Sequence, residues 1–149
     1  MAQTTANAAT SAYLRRFLGG FRATLSWAEF DALWTRLKGT PYGWYVYPLD
    51  EQPPATALAG ADFIGELDAI ASYLRREHRE RYCGIVYADD PHAPAMVKVF
   101  DPHHLGVVCG LSKGITLPGW VLSRQPPPDL VAHFAPRPTG FWGRLKLTG

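Results

Sequence analysis

The chain has 149 residues, of which 47% are hydrophobic, 19% charged and 13% aromatic. This length supports one domain with an ordinary core, and the apolar content excludes a disordered chain. No glycine period, sustained heptad or apolar run of roughly 18 residues occurs, which excludes a collagen-like rod, a coiled coil and a membrane-spanning helix.

The formal net charge of +2 is too small to call for a polyanionic partner. Residues 111–149 carry Lys113, Arg124, Arg137, Arg144 and Lys146 against Asp129 alone, but these charges are sparse. A nucleic-acid binder clusters its basic residues on one face or helix, so nucleic acid is disfavoured as a partner. The first residues lack the basic start and apolar core of a secretory signal. Two cysteines, Cys83 and Cys109, are too few for a disulfide framework. A cytoplasmic protein with reduced thiols and no membrane segment is the expectation.

Residues 1–10 are small and polar and are expected to form a flexible, frayed N-terminus. From about Ser11, Tyr13, Leu14, Phe17, Leu18 and Phe21 recur at helical spacing, and Gly19 and Gly20 end the run. Ser26 and Glu29 form a capping box for a second helix with Trp27, Phe30, Leu33, Trp34 and Leu37 on its stripe, stopped by Gly39 and Pro41. Tyr42–Tyr47 predicts a strand ended by Pro48, with Tyr42, Trp44 and Val46 on one face and Gly43, Tyr45 and Tyr47 on the other. Residues 50–60 read as a surface loop. Asp62 caps a predicted third helix reaching about Arg81, its last turns carrying Arg75, Arg76, His78, Arg79 and Arg81 against the negative end of the dipole.

The period then becomes that of strands. Residues 84–88 and 96–100 flank a proline-stiffened loop and predict an antiparallel hairpin. A turn at 101–106, a short strand at 107–110 and a last strand at 120–123 follow. The expected fold is α+β, one globular domain over 11–124, with about three helices on a mostly antiparallel sheet of four to five strands. A Pro-rich, aromatic tail over 125–149 either packs back or docks elsewhere.

Signatures of phosphate-binding, dinucleotide-binding and hydrolase loops are missing, as are His-Glu-x-x-His and Cys-x-x-Cys. One chemical constellation stands out: Cys83, His103, His104 and Cys109 combine thiols and imidazoles around predicted turns, a donor set for zinc or iron. The same cysteines with a histidine could form a nucleophile pair. Strand geometry puts His92 at the opposite end of the hairpin from His103 and His104, and Cys83 at their end. Against a metal stand the apolar behaviour of most strand cysteines and the ordinary turn chemistry of Asp101-Pro102. Asp89, Asp90 and Asp101 read as solvated or turn-forming acids.

The leading expectation is a non-catalytic accessory or regulatory protein that binds another protein, with no cofactor; a homo-oligomer stays open. Its candidate contacts are Phe141, Trp142, Tyr45, Tyr47, Arg75 and Arg79, since aromatics and arginines anchor interfaces. Tyr73 and Tyr82 flank the arginine cluster at 75–81. A strand aromatic on both faces also suits a central strand covered by helices. The alternative is a small metal- or thiol-dependent enzyme centred on Cys83, His103, His104 and Cys109.

Overall fold

The computed structural model describes residues 2–104 and 115–134, with side chains from residue 6 onward. The elements are α1 (Ala2–Phe17), β1 (Arg22–Ala23), α2 (Trp27–Gly39), β2 (Tyr42–Pro48), β3 (Leu58–Ala59), α3 (Ala61–Glu77), β4 (Val86–Ala88), β5 (Met96–Val99), a 3-10 turn (Pro102–His104), β6 (Trp120–Ser123) and α4 (Leu130–Phe134). The six strands form one sheet in the order β1-β4-β5-β6-β2-β3, every neighbouring pair antiparallel.

The α+β class stands as expected, and the element count is higher among the described residues: four helices and six strands. The additions are short. Two-residue strands β1 and β3 carry no alternation that a sequence can show, and they exist because their edges pair with β4 and β2. The five-residue α4 begins within the expected tail and buries Leu130 and Phe134. The first helix begins at Ala2 instead of about Ser11, since its Ala-rich start favours helix without needing an apolar stripe. The third helix stops at Glu77, not near Arg81, because the chain turns there to lay Tyr82 beside Ser26.

The second helix follows the sequence closely. Ser26 Oγ accepts from the Glu29 amide at 3.0 Å, and the Glu29 carboxylate reaches back to the Leu25 amide at 2.8 Å. Two amide donors at the helix start are thereby satisfied.

Strand alternation sorts the apolar side chains into two clusters, one on each face of the sheet. On one face, Phe30, Leu33, Trp34 and Leu37 of α2 and Phe63, Leu67, Ile70 and Leu74 of α3 meet Trp44, Val46, Val86, Val97, Val99 and Leu122. Trp44 stacks on Phe63 with centroids 5.5 Å apart, and the Trp34 indole donates to the Leu67 carbonyl at 2.8 Å. On the other face, Tyr13 and Phe17 of α1 and Leu130 and Phe134 of α4 cover Tyr47, Met96 and Val121. The sheet is thus the middle of three layers. That accounts for the aromatic residues on both faces of β2: Trp44 and Tyr47 are core, on opposite sides.

Candidate functional site

The C-terminal half of α3 organises two adjoining surfaces. Tyr73 and Glu77, one turn apart, face the chain after β5; Arg75 and His78 face the start of α2.

On the first side Asp101 is the hub. Its Oδ1 accepts from the Tyr73 hydroxyl at 2.8 Å and from the His103 amide at 3.0 Å, and its Oδ2 lies 3.2 Å from His104 Nδ1. Burial pushes the Asp101 carboxyl up, but the bonds from His103, Tyr73 and His104 outweigh it and hold the group below its ordinary value. Burial, then the neighbouring carboxylate, pushes the Tyr73 hydroxyl up to about 12. His103 Nε2 lies 2.7 Å from Glu77 Oε1, and the bonds from His103 and then Arg76 lower the Glu77 pKa. Gly119 sits so close to Asp101 that an added Cβ would lie 3.3 Å from the aspartate Cβ, so the crossing favours glycine. Beside this cluster opens a cleft of about 540 Å³, walled by Leu49, Phe100, Leu117 and Trp120 and lined by Glu66, Asp101 and His104.

On the second side the rings stand in a row. The Arg75 guanidinium lies 4.4 Å from the Trp27 ring centroid, Trp27 lies 6.1 Å from His78, and His78 lies 6.4 Å from Tyr82. Arg75 also pairs with Asp31 at 2.5 Å. The row is fixed from beneath: His78 Nε2 meets the Cys83 carbonyl at 2.8 Å, and the Trp27 indole donates to the Glu80 carbonyl at 2.9 Å. Thr24 and Cys83 point inward, bonded to each other at 3.4 Å. Their chain neighbours Leu25 and Tyr82 therefore point outward, and they are 65% and 59% exposed. Arg79 donates to the Arg76 carbonyl, and among the described residues neither Arg79 nor Arg81 meets a carboxylate.

Of the residues singled out from the sequence, His104 lines the cleft, its neighbour His103 binds Glu77 beside it, Arg75 lies over the Trp27 ring, and Arg79 follows His78 in the chain and bonds the Arg76 carbonyl. Cys83 is fully buried in the α2/α3 cluster, its thiol accepting from Thr24. Among the described residues no group of three or more His, Cys, Asp or Glu side chains could hold a metal ion. Tyr47 is core rather than contact surface, its hydroxyl accepting from the Leu130 amide at 3.3 Å, and Tyr45 is half-buried. Cys109, Phe141 and Trp142 lie outside the described residues. Asp89 is a structural clamp instead of a solvated acid: its Oδ1 accepts from the Asp90, Ala95 and Met96 amides, and its Oδ2 binds Arg16 at 2.8 Å.

Glu77 and Leu25 escaped the sequence reading. The four-residue spacing of Tyr73 and Glu77 was available as a signal, whereas Leu25 becomes an exposed anchor only through pairing with the distant 82–83 segment. No helix among the described residues is long and apolar enough to cross a membrane. No protein-family model matches the chain, and no curated protein or solved structure matches it.

Proposed function

We propose that this protein is a non-catalytic accessory or regulatory module that acts in the cytoplasm by binding another protein. The contact we assign is the row Arg75, Trp27, His78 and Tyr82, extended by Leu25 and Arg79. One observation carries this choice: two large side chains, Leu25 and Tyr82, stand more than half exposed, and among the described residues Arg79 and Arg81 of the same stretch meet no carboxylate. Exposed apolar anchors near arginines without an ion-pair partner suit an acidic segment carrying a few apolar residues. Phe141 and Trp142 of the tail are a second proposed contact.

A photo-crosslinking residue placed at Leu25, and separately at Val131 on the opposite layer, tests the assignment in cells. Crosslinks from position 25 to one acidic segment of a second polypeptide, lost on Arg79→Glu and absent from position 131, are the expected result. Equal crosslinking from both positions, or none from position 25, would contradict it.

A second reading, a small metal- or thiol-dependent enzyme, is favoured by the placement of His103 and His104. With Nδ1 turned to Asp101, His104 keeps Nε2 to act as a base at the cleft wall, or to bind zinc or iron. It expects bound metal at fixed stoichiometry, or one of Cys83 and Cys109 alkylating far faster than the other near neutral pH. Metal analysis showing none, together with equally slow thiols, would remove it.

A further inference from the structure

Lys98 is the odd residue of β5. Alternation points Val97 and Val99 into the α2/α3 cluster, which turns Met96 and Lys98 toward α1. Its cross-strand neighbours are Tyr87 on β4 and Val121 on β6. The Lys98 Nζ lies 4.2 Å from the ring centroid of Phe17 and 4.1 Å from that of Phe21, between the two rings. Among the described residues no carboxylate pairs with it and no acceptor bonds it. The side chain is half-buried, with the two rings packed against its amine.

The carboxylates that flank the elements around it are engaged elsewhere: Asp89, after β4, binds Arg16 at 2.8 Å, and Asp129, before α4, accepts from the Ala132 amide at 3.0 Å. Burial raises the Tyr13 and Tyr47 hydroxyls, Tyr87 is a phenol, and Arg16 of α1 is engaged by Asp89 and Gln125. Two phenyl rings attract an ammonium, but they replace only part of the water it loses.

We propose that Lys98 is a reactive amine that captures small uncharged aldehydes as a reversible Schiff base. The Nζ lone pair forms a bond to the carbonyl carbon while the C–O π pair moves to oxygen, which takes a proton. The carbinolamine then loses water to leave a C=N bond, and addition of water reverses the reaction, with no oxidant or reductant consumed. The aldehyde class follows from the walls, since Phe17, Phe21 and Val121 offer no cation to receive a phosphate or carboxylate on the incoming molecule. Reactivity needs the neutral amine, and burial lowers the Lys98 pKa from 10.5 to about 8. At pH 7 about one Lys98 amine in ten is then neutral, against roughly one in three thousand for an ordinary lysine.

The chain has four lysines, Lys38, Lys98, Lys113 and Lys146, so peptide mapping resolves each. The full chain is treated at pH 7 with propanal and cyanoborohydride to trap the imine. Lys38, held by Asp68 at 2.6 Å, is the internal reference. Lys98 is expected to be alkylated at least about tenfold faster than Lys38, which is less than the neutral-amine ratio because the two rings pack against Nζ. A Lys98 rate equal to or below that of Lys38, or labelling only after unfolding in urea, would overturn the proposal. Phe21→Ala, checked for folding by circular dichroism, is expected to bring the Lys98 rate several-fold closer to that of Lys38. An unchanged advantage in that variant would overturn the role of the two rings.

Discussion

The two faces of the sheet are built on different terms. The α2/α3 face partners the polar groups it buries: the indoles of Trp34 and Trp44 find backbone carbonyls at 2.8 and 2.9 Å, Thr24 donates to the Val86 carbonyl at 3.1 Å and His78 meets the Cys83 carbonyl at 2.8 Å. The α1/α4 face is less well satisfied: among the described residues the buried Tyr13 hydroxyl has no hydrogen-bond partner, and the half-buried Lys98 ammonium meets two rings and no acceptor, while the buried Ser123 hydroxyl donates to the Gln125 carbonyl at 2.7 Å. Buried polar groups without partners weaken a layer. The first face should therefore carry the stability of the domain, and the second should be the one that pH and chemistry can alter.

Truncation is the strongest way to break this comparison. Phe63→Ala removes a ring stacked on Trp44 and should cost about 3–5 kcal/mol in urea unfolding, with the whole domain affected. Phe17→Ala should cost less and raise hydrogen exchange in α1 before the sheet exchanges. If Phe17→Ala proves the more damaging, the ranking of the two faces is wrong.

A pH series sharpens the contrast. The folded Lys98 pKa, near 8, lies below its unfolded value, so the folded state binds fewer protons between about pH 8 and 10.5. The destabilisation is complete below pH 8 and disappears as pH rises through that window. The stability of Lys98→Met minus that of wild type should accordingly fall by on the order of 1–2 kcal/mol between pH 7 and pH 10. A difference that stays flat with pH would show the amine to be well solvated.

Asp101 behaves in the opposite sense, at the rim of the α2/α3 face. Its folded pKa is lowered, so its contribution is present above the unfolded carboxylate range and is lost as pH falls through the folded value. Asp101→Asn should cost roughly 1–2 kcal/mol at pH 7 and little in acid, as followed by thermal melts at several pH values. The smallest effect is expected at the cap: Ser26→Ala should cost about 1 kcal/mol, with no change in the pH profile.

Much of the α2/α3 face was legible because its information is local. The stripe of α2, its capping residues and the alternation of Tyr42–Tyr47 each fit within a dozen residues, and each lies where its period places it. The α1/α4 face was harder to see, because α4 has only five residues and Lys98 looks like an ordinary strand lysine until Phe17 and Phe21 close over it. The candidate surface shows the same division. The arginine cluster and His103 with His104 were visible as residue types, but the row from Arg75 to Tyr82 depends on a bridge between Ser26 and Tyr82, 56 positions apart. A signal of that range is absent from the local pattern.

The most direct test of the account is native mass spectrometry of the protein drawn at natural abundance from its own cells, wild type beside an Arg79→Glu/Tyr82→Ala variant. A second polypeptide at fixed stoichiometry on the wild-type chain, lost from the folded variant, is the expected result. A wild-type chain that comes out alone, or a complex that the double substitution leaves intact, would contradict it.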